Sequence, residues 1–171
     1  MSRNPGSGQS PPKHIVPGLI SVERVLSRGS DAVLWVPTVR VFPTGLTVDL
    51  ELVHTRISDE YRQRLFMQDF TIQIAVDDIE PASFTLGNPP ALIEEPIQAT
   101  FWRRSSSNDG VTAAAWIGCI PDKNLSVKAT TKNPHDLQLL VDRDEIESAL
   151  GRVIELTDPG HNSEDGLTFL D

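Results

Sequence analysis

An alternating run of apolar and polar residues in the first third of the chain constrains the fold more than any other feature. The apolar members are Leu46, Val48, Leu50 and Leu52, and the polar members between them are Thr47, Asp49 and Glu51. Successive side chains of a β-strand point to opposite faces, so such a strand buries one face and exposes the other. The alternation therefore predicts an antiparallel sheet with one covered face.

A turn signal directly precedes this run. Pro43 presets φ for the first turn position and Gly45 can adopt a positive φ, so residues 43–45 predict a three-residue hairpin loop. The preceding run, residues 32–42, contains Pro37, which has no N–H for a ladder and predicts an edge strand or a bulge. The two runs, at 32–42 and 46–57, are predicted to form a hairpin.

Short apolar runs separated by turn residues continue along the chain at spacings of about ten residues, which is typical of a sandwich or barrel. Further strands are predicted at residues 20–27, 70–76, 97–104, 111–120, 125–131 and 137–141. The run at 111–120 is apolar on both faces, which predicts a central strand. Residues 81–96 include Gly87-Asn88-Pro89-Pro90 and predict a long connection that crosses between two sheets.

One helix is predicted near the C-terminus. Asp142 is a good N-cap, and Glu145 three residues later completes a capping-box pattern. An apolar stripe follows at the helical period, formed by Ile146, Ala149, Leu150, Val153 and Ile154. Gly151 is unfavourable within a helix and predicts an end or a bend there.

These elements predict a mainly β protein, an antiparallel two-sheet β-sandwich with one C-terminal amphipathic α-helix. Residues 1–17 are rich in Gly, Pro and polar side chains and predict a disordered leader. Residues 18–156 form the predicted sandwich domain with its helix. Residues 157–171 are predicted to be an acidic flexible tail.

Composition restricts the partners and the compartment. Cys119 is the only cysteine, so an internal disulfide cannot form, and the first thirty residues lack a secretory signal pattern. No apolar run approaches the ~20 residues that cross a bilayer. The net charge of −9 disfavours phosphate backbones as ligands. We expect a cytoplasmic protein that binds neither nucleic acid nor membrane.

The order of four elements resembles a family of uncharacterised β-sandwich proteins from high-GC Gram-positive bacteria. The likeness spans residues 18–156 and rests on the strand at 22–26, the hairpin at 40–46, the strand and turn at 116–121 and the acidic-capped helix. The chain differs in having Ser-rich residues before Val111 and no tryptophan near Leu156. The resemblance implies a β-sandwich and implies no active residues.

No pattern in the chain indicates a catalytic, cofactor or metal site. The four histidines, His14, His54, His135 and His161, lack the spacing that places two imidazoles on one metal. The carboxylates at Asp142 and Asp144 fit helix capping better than calcium binding. Cys119 lies in the most apolar strand, where burial disfavours a nucleophilic role. We expect a non-enzymatic protein without cofactor or metal.

A candidate binding patch is formed by Phe101, Trp102, Arg103 and Arg104, because aromatic and arginine side chains anchor many protein interfaces. Phe101 and Trp102 are adjacent in a strand and so point to opposite faces, which leaves one of them outward or in a second layer. The leading hypothesis is a module that binds another protein or self-associates. The alternatives are a small-ligand or carbohydrate-binding domain and an enzyme of unrecognised type.

A further alternative comes from the uneven distribution of charge. Residues 142–171 hold nine acidic residues against two arginines, a local balance of −7. A solvated helix face and a soluble tail explain this balance. An inhibitor or immunity-type protein that neutralises a basic partner explains it as well.

Overall fold

The computed structural model describes residues 10–28, 32–54, 71–79, 82–85, 91–93, 97–107, 110–130 and 137–156. Within these ranges the chain forms twelve strands and one helix: β1 Ile15–Val16, β2 Gly18–Arg28, β3 Ala32–Phe42, β4 Gly45–His54, β5 Thr71–Val76, β6 Ala82–Thr85, β7 Ala91–Ile93, β8 Ala99–Ser107, β9 Gly110–Ile117, β10 Asn124–Thr130, β11 Gln138–Asp142, α1 Arg143–Leu150 and β12 Ile154–Glu155.

The strands form two large antiparallel sheets and one small one. The six-stranded sheet has the order β2-β3-β4-β9-β8-β7, and the four-stranded sheet has the order β11-β10-β5-β6. β1 pairs with β12 in the small sheet. The protein is therefore mainly β, with the two-sheet sandwich and the single C-terminal helix that the sequence predicts.

The core lies between the two large sheets. Leu46, Val48, Leu50 and Leu52 of β4 expose 0%, 0%, 1% and 5% of their surface, so the predicted burial of the apolar face is confirmed. Thr47 on the opposite face is also 0% exposed, so the prediction that this face is exposed is wrong at Thr47. Side chains from the inner faces of both sheets join one buried cluster. Phe84 of the four-stranded sheet stacks on Phe101 of the six-stranded sheet with ring centroids 5.1 Å apart.

The β3–β4 hairpin differs from its prediction by one residue. Phe42 pairs directly with Gly45, so the loop has two residues and the predicted three-residue loop is wrong. Space, rather than a positive φ, requires the glycine, because a Cβ there would meet the Trp116 ring at 2.7 Å. The predicted irregularity at Pro37 is confirmed as a bulge between Trp35 and Val39, in a strand flanked on both sides.

Two predictions about sheet order are also confirmed. β9 lies between β4 and β8, so the strand that is apolar on both faces is central. β6 belongs to the four-stranded sheet and β7 to the six-stranded sheet, so residues 81–96 do cross between the sheets. The sequence predicted no strands within this connection, whereas the structure has two short ones.

α1 begins as predicted and ends where Gly151 predicted an end or a bend, although the predicted apolar stripe is shorter. The Glu145 N–H donates to Asp142 Oδ1 at 2.9 Å and the Asp142 N–H donates to Glu145 Oε2 at 3.2 Å, which completes the capping box. The helix ends at Leu150, and Ile154 lies in β12 with 58% of its surface exposed, so the predicted stripe does not extend to Ile154. The helix packs on the core through the buried side chains of Ile146 and Ala149.

β1 lies within the segment predicted as a leader. Ile15 and Val16 pair with Glu155 and Ile154, so the ordered fold starts before residue 18. The rest of the predicted leader up to residue 9, and the predicted tail at 157–171, lie outside the described residues.

Candidate binding face on the six-stranded sheet

The structure divides the candidate patch of β8 between two faces. Phe101 is 1% exposed and faces the core, where it stacks on Phe84, so it cannot contribute to a surface patch. Trp102 points the other way and is half-buried. Arg103 and Arg104 belong to β8, but their side chains lie outside the described part of the structure. Trp102 is thus the member of the predicted patch that the structure places on the outer face.

The strand registers show which side chains share this outer face with Trp102. Trp102 pairs with Ala114 of β9, and Ala114 pairs with Asp49 of β4. Two residues further along β4, on the same face as Asp49, Glu51 pairs with Trp35 of β3. We refer to Trp35, Asp49, Glu51 and Trp102 as the outer-face patch.

The outer-face patch is framed by its two tryptophans. β3 and β8 are separated by β4 and β9, so at a strand spacing of about 4.8 Å the two tryptophans are offset by about 14 Å across the strands. The registers offset them by a further two residues, about 7 Å, along the strands. Both indoles are half-buried, as is the Glu51 carboxylate between them. The patch can therefore contact a partner with two aromatic surfaces and a central acidic region.

An ion pair organises the acidic part of the patch. Arg40 Nη2 lies 2.8 Å from Asp49 Oδ1, and the two side chains are 26% and 16% exposed. Burial raises the pKa of Asp49 above its ordinary value, although the charge and hydrogen bond of Arg40 lower it; Glu51 raises it further. Desolvation therefore outweighs pairing at this carboxylate.

Beyond the patch, the same face becomes fully buried. Thr47, Trp116 and Phe42 expose 0%, 1% and 3% of their surface, and the Phe42 and Trp116 rings pack in a T-shaped arrangement with centroids 5.6 Å apart. Thr47 and Thr100 lie on either side of Trp116. Within the described residues, neither threonine hydroxyl has a hydrogen-bond partner. This part of the face contributes packing and is not accessible for binding.

The patch contains polar residues that sequence reasoning did not select. The alternation in β4 places Asp49 and Glu51 on the wet face, but they carry no local motif. Trp35 lies sixteen residues before Glu51, and only the β3–β4 register brings them together.

Cys119 is half-buried, and its surroundings disfavour a thiolate. Burial raises the pKa of its thiol, and the charges of Asp77 and Asp122 raise it further.

In the described ranges, no three His, Cys, Asp or Glu side chains are grouped to hold a metal ion. His135 and His161 lie outside those ranges.

Asp77 has a structural role at the turn that follows β5. Its carboxylate accepts backbone N–H hydrogen bonds from Asp122, Lys123 and Asn124 at 2.7, 2.6 and 3.1 Å. Burial alone would raise the pKa of Asp77, but the three hydrogen bonds outweigh it and hold the pKa below its ordinary value. The residue joins two turns that are distant in sequence.

Comparisons with protein-family models, with curated proteins and with solved structures found no match. Among the described residues, no helix has both the length and the apolar character needed to cross a membrane. The protein is an antiparallel β-sandwich with an aromatic and acidic face on its larger sheet.

Proposed function

We propose that this chain is a non-enzymatic binding module that contacts another protein, or a second copy of itself, through the outer-face patch. The observation that carries the proposal is the pair of half-buried tryptophans, Trp35 and Trp102, on one face of a continuous sheet. Tryptophan is enriched among the residues that dominate binding energy at protein interfaces. We expect the protein to act in the cytoplasm, without a nucleic-acid partner.

The sheet face suits this role better than the long edge strand β2. The β2 register is interrupted between Ser21 and Arg24 and again between Val25 and Ser27, and Glu23 has a φ of 48°. Bulges of this kind twist an edge away from strand addition by a second chain. Recognition through side chains of the sheet face is therefore the favoured mode.

The test compares two patch variants with a control on the other sheet. Trp35→Ala and Trp102→Ala remove the aromatic anchors, whereas Leu140→Ala removes a 58% exposed leucine from the four-stranded sheet. A partner recovered from the native cell with the wild-type chain would be titrated against all four proteins by calorimetry. We expect a loss of affinity of about ten-fold or more for the tryptophan variants and none for Leu140→Ala.

Unfolding curves must first show that both tryptophan variants remain folded, because each indole also packs on the sheet. Self-association is tested by comparing the sedimentation of the wild-type chain alone with that of the same variants. If the folded Trp35→Ala and Trp102→Ala proteins bound the partner with the affinity of the wild-type chain, the proposal would be contradicted.

Carbohydrate binding is a second candidate, favoured by one specific arrangement. Trp35 lies directly opposite Glu51, which in turn lies opposite Thr112, so a stacking surface adjoins groups that hydrogen-bond hydroxyls. A thermal-shift screen with sugars tests it, and a shift that Trp35→Ala abolishes would favour it over protein binding.

The acidic-inhibitor alternative rests on residues 142–171, half of which lie outside the described ranges. Co-purification with a basic protein that dissociates in salt would support it, and a complex indifferent to salt would contradict it.

A further inference from the structure

Glu51 is a half-buried carboxylate for which the described residues provide no ion pair. It lies in the middle of β4, with Trp35 on one side and Thr112 on the other. A partly desolvated carboxylate without a counter-charge is unfavourable, and a cation that reached it would offset that cost. Glu51 is therefore a candidate contact for a positively charged group from outside the chain.

Asp49 does not compete for the same cation. Its carboxylate is already 2.8 Å from Arg40 Nη2, which supplies a counter-charge. The described side chains of the outer-face patch and Arg40 thus hold two carboxylates and one guanidinium, which leaves one negative charge at Glu51. The negative charge of Glu51 also acts on the neighbouring carboxylate, because it contributes to the raised pKa of Asp49.

Trp35 adds a second element that favours a cation over other ligands. Directly opposed residues on antiparallel strands have Cβ atoms about 4.5–5.5 Å apart, so the Trp35 and Glu51 side chains extend from neighbouring positions on the same face. The face of an indole attracts a cation within about 6 Å of its centroid. An arginine fits both groups, since its planar guanidinium can stack on an indole while donating two hydrogen bonds to a carboxylate.

We propose that the outer-face patch binds an arginine side chain of a protein partner, with Glu51 as its counter-charge and Trp35 as its stacking surface. The inference rests on the proposed function and specifies the chemistry of the partner as an exposed basic segment. The net charge of −9 supports it, because a strongly acidic chain attracts basic partners over long range.

The test uses N-acetyl-arginine amide as the probe and the full-length chain labelled with nitrogen-15. The indole N–H signals of Trp35 and Trp102 are followed by NMR, with the Trp35 signal assigned from a Trp35→Phe variant. The uncharged citrulline analogue has nearly the same shape and controls for stacking alone. We expect a saturable shift of the Trp35 signal with the arginine probe and a much smaller shift with the citrulline probe.

Two variants with the same change in net charge separate the site from general electrostatics. Glu51→Gln removes the proposed counter-charge, and Asp144→Asn removes an exposed carboxylate on α1. We expect Glu51→Gln to raise the Kd about ten-fold and Asp144→Asn to leave it within about two-fold.

Equal shifts with the two probes, an unchanged Kd in Glu51→Gln, or no shift in the wild-type chain would each overturn the arginine site. The proposed function would survive any of these results if Trp35→Ala and Trp102→Ala still abolished binding of the recovered partner. If those variants bound the partner normally, the proposed function itself would fail.

Discussion

Thr47→Val should make the protein more stable, although the substitution removes a polar group from a well-packed position. Thr47 is 0% exposed, and within the described residues its hydroxyl has no hydrogen-bond partner. A buried hydroxyl without a partner costs about 1–3 kcal/mol, and valine has nearly the same shape without this cost. Both residues are β-branched and suit a strand equally well. We expect a gain of about 1–3 kcal/mol in the free energy of unfolding.

The gain is measured by urea unfolding of both proteins at neutral pH. The urea midpoint should rise while the m-value stays constant, and for a chain of this size Tm should rise by about 2 °C or more. Thr112→Val is the matched control, because Thr112 lies on the same face and its hydroxyl is hydrogen-bonded to Ser105 at 2.7 Å. The control should lose up to about 1 kcal/mol.

The opposite sign for Thr47→Val would refute this reasoning. A loss of stability as large as that of Thr112→Val would mean that the Thr47 hydroxyl is hydrogen-bonded in solution, for example to an ordered water.

Three further predictions concern the turns and the β2 bulge. Asp77→Asn should destabilise the protein by about 1–2 kcal/mol at pH 7, a figure that allows for solvent screening. Because folding lowers the pKa of Asp77, its contribution to the free energy of unfolding is complete above about pH 4 and is lost as the pH falls through its pKa in the folded protein. The unfolding curves of wild type and variant should therefore converge in acid, and a difference that stays constant with pH would contradict this. Glu23→Gly should stabilise by about 0.5–1 kcal/mol, since glycine adopts the φ of 48° without strain; calorimetric Tm values measure it, and a lowered Tm would count against it. Gly45→Ala should destabilise by more than about 2 kcal/mol in urea, because the added methyl overlaps the Trp116 ring and the Ile117 carbonyl, and a neutral result would show that the hairpin adapts.

Local patterns in the sequence predicted most of the individual strands. The period of two in β4 depends on neighbouring residues alone, so the burial of Leu46 to Leu52 was predictable without knowledge of the partner strands. The capping box of α1 is equally local, since Asp142 and Glu145 are three residues apart. Gly151 predicted the C-terminal end of α1 from local sequence. The strand pairing of Ile154 was not predicted, because Ile154 continues the helical period but pairs with Val16 at the other end of the chain.

The candidate binding face combines residues placed by alternation within one strand with residues brought together by pairing between distant strands. Phe101 and Trp102 are adjacent in a strand and therefore point to opposite faces. Phe101 is the buried one because it stacks on Phe84 of the other sheet. Strand pairing then placed Trp35 beside Glu51, and Asp49 in the row that ends at Trp102. Alternation is a property of one strand, whereas neighbours across a sheet depend on register between distant segments, which hydrophobic burial and the hairpin and bulge geometry select together.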